Sequence, residues 1–258
     1  GAGAGGDGDI GHGTGDAMSI LFAQRGASVV LVDIDTARAQ RTLDLIERDG
    51  GRAVIYKADV TNAADCEGAV KAAIEHFGGL HILVNNVAIV APGTVVDVTE
   101  EDWDKLFAVN VKSMMLMSKY AVPEMIRAGG GSIINIASNE AVRGQDWYPM
   151  IAYSTSKGAA IPLTASMAVH HGKDNIRVNC IAPGMIYTPM VASIISDEIR
   201  DLRRKGAPLG NEGNAWDVAN AAAFLASDDA RWISGVTLPV DGGLLATQSL
   251  SLVNRFLS

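Results

Sequence analysis

Cysteine is scarce in this sequence, which has only Cys66 and Cys180 among its 258 residues. Two cysteines are too few for a disulfide framework, and the pair lacks the CxxC spacing of a zinc site. Long apolar runs are also missing, because no stretch approaches the roughly 18 uninterrupted apolar residues of a membrane-spanning helix. The first residues lack the charged and apolar regions of a signal peptide. We therefore expect a soluble, cytoplasmic protein without a metal centre or a membrane partner.

The sequence has fewer basic than acidic residues, with 21 Lys and Arg and 29 Asp and Glu, which gives a formal net charge of −8. Neutralising nucleic-acid phosphates takes a clustered basic surface. The one tight basic group is Arg203, Arg204 and Lys205, and we expect it to be a solvated helix face. The charge balance therefore argues against a nucleic-acid partner.

What the sequence does have is a regular alternation of short apolar runs with longer amphipathic ones. Six of the short runs are rich in β-branched residues and bounded by turn residues, which is typical of parallel strands covered on both faces. Strict alternation predicts a single α/β domain over residues 1–258, a Rossmann-type doubly wound parallel sheet with helices on both faces. The predicted strands span 27–35, 52–60, 81–89, 132–138, 176–184 and 235–243.

The chain opens with the glycine-rich run GAGAGGDGDIGHGTGDA, and a predicted helix begins directly after Gly13 and Gly15. The next strand ends at Asp33, twenty positions beyond Gly13, where a dinucleotide-binding unit places a carboxylate on the adenosine ribose. A carboxylate there accepts hydrogen bonds from the ribose diol and repels a 2′-phosphate, which favours NAD over NADP. The alternative interpretation is that Asp33 is only a turn residue at a strand end.

No predicted strand precedes the glycine-rich run, although a phosphate-binding turn normally follows one. Because a doubly wound sheet has its first strand at the centre, we expect about ten further residues ahead of Gly1 that form an apolar strand. We also expect an inserted loop at residues 4–12. A bound pyrophosphate further requires the carboxylates of Asp7, Asp9 and Asp16 to point outward.

Tyr153 and Lys157 are four positions apart, so a helix places both side chains on one face. A nearby ammonium stabilises a phenolate, and we therefore expect Lys157 to lower the pKa of Tyr153 and make it a proton-exchanging group. This spacing arises by chance in roughly one such chain in six or seven, so the pair alone is weak evidence for a catalytic site. Pro162 is expected to kink the same helix.

Other segments of the sequence are stronger evidence than this pair. Over nearly its whole length the sequence resembles the compact, single-domain short-chain dehydrogenase/reductases. The matching segments are the glycine-rich turn, Asp33, ADV at 58–60, NNVA at 85–88, Asn110 in FAVNVKS, Ser138 in INIAS, YSTSK at 153–157, APGMIYTPM at 182–190 and VDGG at 240–243.

The resemblance implies a role for each matching residue. Tyr153 would be the general acid/base, Lys157 would hold the nicotinamide ribose and tune Tyr153, Ser138 would hydrogen-bond the substrate oxygen, and Asn110 would anchor a water of the proton relay. Asp59 and Val60 would border the adenine, Asn86 and Ile186 would line the cofactor channel, and Thr188 would contact the carboxamide. The other implied cofactor contacts are Gly13, Gly15, Asp33, Tyr153 and Lys157. Several of these polar residues end predicted strands, where open parallel sheets bind ligands.

The expected substrate is a small molecule, a cyclic or medium-sized secondary alcohol or its ketone. Apolar residues suggest a mainly apolar pocket, whereas Glu140 and Arg143 leave a charged or sugar-like substrate open. Residues 185–211 are expected to form a substrate lid, and the apolar tail 244–258 to pack on a neighbouring subunit in the homotetramer common among similar proteins. The apolar candidates are Trp147, Tyr148, Met150, Met185, Met190 and Ile194.

Two other functions remain open, an NAD-binding sensor or scaffold protein without turnover and an epimerase or dehydratase on the same fold. The complete set of Ser, Tyr, Lys and Asn argues against the first. Only about 100 residues follow Lys157, which argues against the large substrate domain that is usual in the second. Enoyl-type reductases are disfavoured because they typically separate Tyr and Lys by more than the four positions seen here.

Overall fold

All six predicted strands are present in the computed structural model, which describes residues 11–248. Two further strands of two residues each are present, one inside the predicted lid, residues 185–211, and one directly after it. The strands are β1 (Ser28–Asp33), β2 (Arg52–Lys57), β3 (Ile82–Asn85), β4 (Gly131–Ile136), β5 (Ile176–Pro183), β6 (Ile186–Tyr187), β7 (Gly213–Asn214) and β8 (Thr237–Val240).

Helices follow the strands in the predicted alternation. A π-helical segment, Ala108–Lys112, joins α4 to α5, and a short 3₁₀ turn, Asn139–Ala141, follows β4. The α-helices are α1 (Thr14–Gln24), α2 (Thr36–Arg48), α3 (Ala63–Phe77), α4 (Glu100–Phe107), α5 (Ser113–Arg127), α6 (Ile151–His171), α7 (Pro189–Ala192), α8 (Asp197–Gly206) and α9 (Ala215–Ala226). None of the helices within 11–248 is long and apolar enough to cross a membrane.

The main strands run parallel and carry helices on both faces, which confirms the predicted Rossmann-type fold. Strand β4 shows why the faces are covered, because successive side chains of a strand point to opposite sides. Ile133 packs into the core with α3, α5 and α6, whereas Ile134 and Ile136 pack into the core with α1 and α9. Both sides of β4 are therefore buried, as the nearly continuous apolar run predicts.

The parallel strands fall into two hydrogen-bonded groups. Strand β1 pairs with β2, and β3, β4, β5 and β8 pair in that order. Among the residues described, no strand lies between β1 and β3, and a cleft of about 470 Å³ separates them. Its lining includes Val30 and Val32 from β1 and Leu83 from β3. The strand expected ahead of Gly1 and the loop at 4–12, apart from residues 11 and 12, lie outside the described residues.

Local signals fix the helix ends. The Thr99 hydroxyl accepts a hydrogen bond from the Asp102 amide at 3.0 Å, and so caps α4 as the sequence predicts. Gly78 ends α3 in the left-handed conformation with φ of 81°, which glycine adopts without strain. Pro162, where a kink is expected, does not interrupt α6, which continues from Ile151 to His171.

Candidate active site

The predicted site residues converge on the carboxyl edge of the sheet. Asp33 ends β1, Asn85 ends β3 and Pro183 ends β5, while Ser138 comes two residues after β4. Because parallel strands present these ends along the same edge, side chains distant in sequence meet there. The site is closed from one side by α6, which packs against β4 and β5.

Tyr153 and Lys157 lie one turn apart on α6, as the spacing predicts. The Lys157 side chain is only 2% exposed, and its Nζ donates a hydrogen bond of 2.7 Å to the carbonyl oxygen of Ile136 at the end of β4. The same Nζ is 5.8 Å from the centre of the Tyr153 ring. The ammonium is therefore anchored to the sheet and does not form an ion pair with the phenol.

Burial changes the acidity of both groups. It raises the pKa of Tyr153 to about 12, with hydrogen bonding to Ser138 acting to lower it and the charge of Glu140 to raise it. It also lowers the pKa of Lys157 to about 8, against the opposing charge of Cys180. The expected lowering of the Tyr153 pKa is thus wrong for the protein alone, because desolvation of the phenolate is the largest influence on that pKa. At neutral pH the phenol of Tyr153 carries its proton.

Ser138 faces the phenol from the end of β4. It is 8% exposed, and its Oγ accepts a hydrogen bond of 3.2 Å from the amide of Glu140. This bond opens the 3₁₀ turn Asn139–Ala141, in which Ser138 is the cap. The turn directs the Ser138 hydroxyl toward Tyr153, so the two oxygens can share one substrate oxygen.

Asn110 occupies the middle of the π-helical segment and is fully buried. Its Oδ1 accepts from the amide of Ile89 at 2.8 Å, and its Nδ2 donates to the carbonyl of Ile89 and to Ser156 Oγ, both at 3.0 Å. Ser156 Oγ in turn donates to the carbonyl of Tyr153 at 2.7 Å. The side chain of Asn110 therefore joins the loop after β3 to the first turn of α6. A water anchored by Asn110 stays a prediction.

The predicted nucleotide end of the site begins at α1, whose first residue is Thr14 and whose N-cap is Gly13. Gly15 lies buried in the first turn. Asp16 does not point outward as expected, because it is buried and accepts hydrogen bonds from the Gly13 amide at 3.0 Å and from the Thr42 hydroxyl at 3.3 Å. Its carboxylate thus stabilises the helix start and its packing on α2. Asp7 and Asp9 lie outside the described residues.

The two acidic positions predicted for the adenosine end are Asp33, the last residue of β1, and Asp59, two residues after β2. Asp33 is 8% exposed, and its Oδ1 accepts a hydrogen bond of 2.9 Å from the Asp35 amide. The Oδ1 of Asp59 accepts from the amide and the hydroxyl of Thr61 at 2.9 and 2.7 Å, which orders the turn that holds buried Val60. Both carboxylates are therefore held in defined orientations.

The remaining cofactor candidates lie along the same edge. Asn86 Oδ1 accepts a hydrogen bond of 3.0 Å from the Thr14 hydroxyl, which joins the glycine-rich turn to the end of β3. Ile186 is buried on β6, and the Thr188 hydroxyl caps α7 by accepting from the Val191 amide at 3.5 Å. Gly184 is required where it stands, since a Cβ there would come within 2.5 Å of Asp241 Cβ.

These groups fit a nicotinamide dinucleotide by their chemistry. The amino end of α1 offers backbone amides and a positive dipole to a pyrophosphate. Asp33 offers a carboxylate to a ribose diol, and the Lys157 ammonium is the cation at the opposite end, next to Tyr153. The donor set therefore matches an anionic centre flanked by two hydroxylated sugars.

The lid region contains charged residues whose exposure to solvent was predicted wrongly from the sequence. Arg203 belongs to no solvated face, since its Nε is buried and its Nη2 donates to the Ile186 carbonyl at 3.5 Å. Arg200, one turn earlier, pairs with Glu212 at 2.6 Å and stacks 3.6 Å from the centre of the Tyr187 ring. Arg204 and Lys205 do face solvent, as expected, and pair with Asp201. The spacing of Arg200 and Arg203 on α8 is the signal that could have found this inward face.

Known proteins are similar to this chain over most of its length. Residues 10–245 match the family model described as enoyl-(acyl carrier protein) reductase. The chain is 38% identical to 2,5-dichloro-2,5-cyclohexadiene-1,4-diol dehydrogenase of Sphingobium indicum, over 90% of this chain and 91% of that protein.

Two solved structures extend the comparison. The crystal structure of a Burkholderia xenovorans protein assigned to the short-chain dehydrogenase/reductases has a TM-score of 0.90 and 37% identity, covering 96% of this chain and 95% of that one. The structure of 7α-hydroxysteroid dehydrogenase complexed with NADH and 7-oxo glycochenodeoxycholic acid has a TM-score of 0.85 and 38% identity, covering 90% of this chain and 89% of that one.

Proposed function

Since the chain belongs to the short-chain dehydrogenase/reductase family, an oxidoreductase family that uses nicotinamide cofactors, we propose that it interconverts a small secondary alcohol and its ketone with NAD. The observation that carries the proposal is the meeting of Ser138, Tyr153 and Lys157 at the carboxyl edge of the sheet. When bound, the nicotinamide supplies or accepts the hydride. The protein supplies the proton chemistry and the positioning.

Tyr153 is the general acid/base of the proposed reaction. In ketone reduction its phenol donates a proton to the carbonyl oxygen as that oxygen gains negative charge, and in alcohol oxidation its phenolate form takes the hydroxyl proton and becomes the phenol. Ser138 Oγ donates a hydrogen bond to the same oxygen and stabilises the developing charge. The raised pKa of Tyr153 supports the donor role at neutral pH.

Lys157 and Asn110 support Tyr153 in the proposed reaction. Lys157 donates hydrogen bonds to the nicotinamide ribose from a position fixed by the Ile136 carbonyl. Its charge favours the phenolate that remains after the Tyr153 proton has left. Asn110 anchors the water through which that proton is replaced, and its side chain fixes the backbone of α6 through Ser156.

NAD is the proposed cofactor in preference to NADP because of Asp33. Its carboxylate lies at the end of β1, oriented by the Asp35 amide, where the adenosine ribose of the cofactor would lie. A 2′-phosphate there would meet a negative charge at short range, and within the protein such repulsion is weakly screened. The NADH named in the complex of 7α-hydroxysteroid dehydrogenase supports this choice.

The proposed substrate site lies between the turn after Ser138 and the lid, residues 185–211. Trp147, Met190 and Ile194 expose 40%, 50% and 46% of their surfaces, so apolar area is available to a cyclic or medium-sized alcohol. The cyclic diol and steroid in the names of two matched proteins support a substrate of this size. Closure of the lid would exclude water from the reacting oxygen.

The description of the matching family model makes reduction of an enoyl thioester the alternative to test. The four-residue spacing of Tyr153 and Lys157, with Ser138 beside the phenol, supports a carbonyl or carbinol substrate instead. The experiment is a panel of secondary alcohols, ketones and an enoyl thioester with NAD(H) and NADP(H), read by NAD(P)H absorbance. Turnover of alcohols with NAD supports the proposal, turnover of the thioester alone replaces it, and binding of NADH without turnover indicates a sensor.

We also propose a cytoplasmic homotetramer as the working form. Large apolar side chains on the described surface support association, since Trp232 is 92% and Val169 80% exposed. The free cysteines Cys66 and Cys180 are buried thiols, which suits a reducing compartment. Most of the tail expected at a subunit interface, residues 249–258, lies outside the described residues. Sedimentation of a stable monomer at micromolar concentration would contradict the tetramer.

A further inference from the structure

Arg200 attaches the lid helix α8 to both ends of the predicted lid, residues 185–211. Its Nε and Nη2 donate to the Glu212 carboxylate at 2.9 and 2.6 Å, and Glu212 comes directly before β7. Its guanidinium carbon also lies 3.6 Å from the centre of the ring of Tyr187, the last residue of β6. One side chain of α8 therefore holds the segment that enters the lid and the segment that leaves it.

The contacts of Arg200 are of a kind that fixes geometry. Hydrogen bonds between charged groups are stronger than neutral ones, and the N–H groups of a guanidinium point along fixed directions. The flat face of the guanidinium against an aromatic ring adds a cation–π attraction. The Arg200 side chain is 43% exposed but that of Glu212 only 16%, so solvent screens the pair only in part.

The other basic residues of α8 do not attach the helix in this way. Arg204 and Lys205 both pair with Asp201, which belongs to α8 itself. Arg203 reaches the Ile186 carbonyl, but at the longer distance of 3.5 Å. Within residues 11–248, the ion pair that joins α8 to another segment is therefore that of Arg200.

Strand β6 lies at the Lys157 end of the proposed cofactor site. It continues β5 after two residues, and β5 pairs with β4 so that Ile181 is opposite Ile136, whose carbonyl holds Lys157. Strand β1 with Asp33 lies on the other side of β4, beyond β3 and the cleft. A displacement of β6 would therefore affect the nicotinamide half of a bound dinucleotide and leave the adenosine half in place.

Strand β6 depends on contacts such as those of Arg200, because its ladder with β7 contains only two residue pairs. Two-stranded ladders of ordinary length are already only marginally stable alone. Thr188, the predicted carboxamide contact, follows β6 directly and caps α7 with its hydroxyl. The orientation of Thr188 is thus coupled to that of Tyr187, on which Arg200 stacks.

We propose that Arg200 is a positioning residue of the proposed reaction, which holds Thr188 at the nicotinamide carboxamide and holds the lid over the substrate. The inference rests on the proposed use of NAD. Arg200 acts through Tyr187 and Glu212 and not by contact with the reacting atoms. Its loss loosens the nicotinamide end of the site, and since a small misplacement of reacting groups slows a reaction strongly, it lowers kcat as well as cofactor affinity.

The test compares the binding of NADH with that of ADP-ribose, which has the pyrophosphate and both riboses but no nicotinamide. We expect Arg200→Met to raise the Kd for NADH about tenfold, the contribution of one hydrogen bond, and to lower kcat about tenfold or more. The Kd for ADP-ribose should stay within about twofold of wild type, as for a change away from the ligand. Titration calorimetry measures both dissociation constants.

A second variant and a control make the comparison specific. Glu212→Met removes the acceptor of Arg200 and should give the same pattern, and the double variant should be little worse than either single one, because both changes break one contact. Arg204→Met, on the same helix but at a residue paired with Asp201, should behave as wild type. Circular dichroism and urea denaturation check that each variant is folded.

The outcomes separate the role of Arg200 from the proposed activity. A folded Arg200→Met variant with wild-type NADH affinity and kcat overturns the positioning role. An equal loss of affinity for NADH and ADP-ribose also overturns it, because it would show a general effect on the fold. A wild type that binds NADH but oxidises no alcohol of the panel overturns the proposed activity, while the two dissociation constants still decide the role of Arg200. A wild type that does not bind NADH overturns both.

Discussion

The side-chain amide of Asn110 donates a 3.0 Å hydrogen bond to the hydroxyl of Ser156, and both residues are fully buried. Ser156 passes the contact on, since its hydroxyl donates to the backbone carbonyl of Tyr153 at 2.7 Å. The π-helical segment positions Asn110 for this contact, and such segments are frequent at functional sites. The backbone at Tyr153 is thus held in place by a polar contact that involves no substrate.

Replacing Ser156 by Ala tests this positioning role. The change leaves Nδ2 of Asn110 with one acceptor fewer in a buried setting, which costs about 1–3 kcal/mol of unfolding free energy. We expect kcat to fall about tenfold while the KM for NAD changes little, because the misplaced group is the phenol. Urea denaturation and steady-state kinetics measure the two effects, with Ser154→Ala on the same helix as the control. An unchanged kcat in a destabilised variant would make Ser156 merely structural.

Tyr153→Phe removes the proposed acid/base and keeps the ring. Turnover should fall by about 10²–10⁴-fold, the usual contribution of general acid/base catalysis. NADH affinity should stay within a few-fold of wild type, because Lys157 and the nucleotide end of the site are unaltered. Stopped-flow kinetics and fluorescence titration provide the readings, and Tyr120→Phe on α5 is the matched control. Undiminished turnover in Tyr153→Phe would reject the assignment.

We expect the cofactor preference to depend on the charge of Asp33. Asp33→Asn keeps the size of the side chain and removes the repulsion of a 2′-phosphate, so the ratio of kcat/KM for NAD over NADP should fall by about tenfold, equivalent to about 1.4 kcal/mol. Asp35→Asn two residues later is the control, since Asn also caps a helix. Equal ratios in the wild type and Asp33→Asn would show that another group sets the preference.

The sequence was sufficient to predict the main strands and to place the candidate residues along one edge of the sheet. Apolar periodicity and turn residues are local properties, so all six strands could be predicted. Their ends were predicted less well, because the strand predicted over 81–89 ends at Asn85 and the one predicted over 132–138 ends at Ile136. The partial burial of Arg203 could not be predicted, because it depends on tertiary contacts such as the hydrogen bond from its Nη2 to the Ile186 carbonyl. The raised pKa of Tyr153 is likewise a tertiary effect, since it follows from burial that spacing on α6 does not express.

The interior of the site also depends on a polar contact between a strand and a helix. Asn135 on β4 accepts from Asn85 at 2.8 Å and donates to Thr164 Oγ1 on α6 at 2.9 Å. Thr164→Val leaves the Asn135 amide without this acceptor, and we expect a loss of about 1–3 kcal/mol in unfolding free energy.

Thr155→Val is the matched control for that change. Thr155 lies on the same helix and bonds its own preceding turn at 2.8 Å, as Thr164 does, but it is exposed. Its replacement should change stability by less than about 0.5 kcal/mol. Equal losses in both variants, measured by urea denaturation, would show that the bond between sheet and helix contributes nothing specific.

Lys157 makes the stability of the protein depend on pH in a direction that can be worked out. Burial lowers its pKa from 10.5 to about 8, so between these values the unfolded chain binds a proton that the folded protein has released. The unfolding free energy therefore gains a contribution that rises with pH, by at most about 1.4 kcal/mol per pH unit. Below pH 8 both states hold the proton and the burial of the charge is unfavourable.

The comparison of wild type with Lys157→Met isolates this contribution. The difference in unfolding free energy, wild type minus variant, should be flat below pH 8 and should rise from pH 8 to pH 10. Cys180, whose pKa burial raises, acts in the opposite direction in both proteins and so largely cancels. Tyr153 also has a raised pKa, and it loses stability only above the pKa of about 10 that free tyrosine has. A difference that stays flat from pH 8 to pH 10 would mean that Lys157 remains protonated in the folded protein and that its ammonium is stabilised there by more than the Ile136 carbonyl.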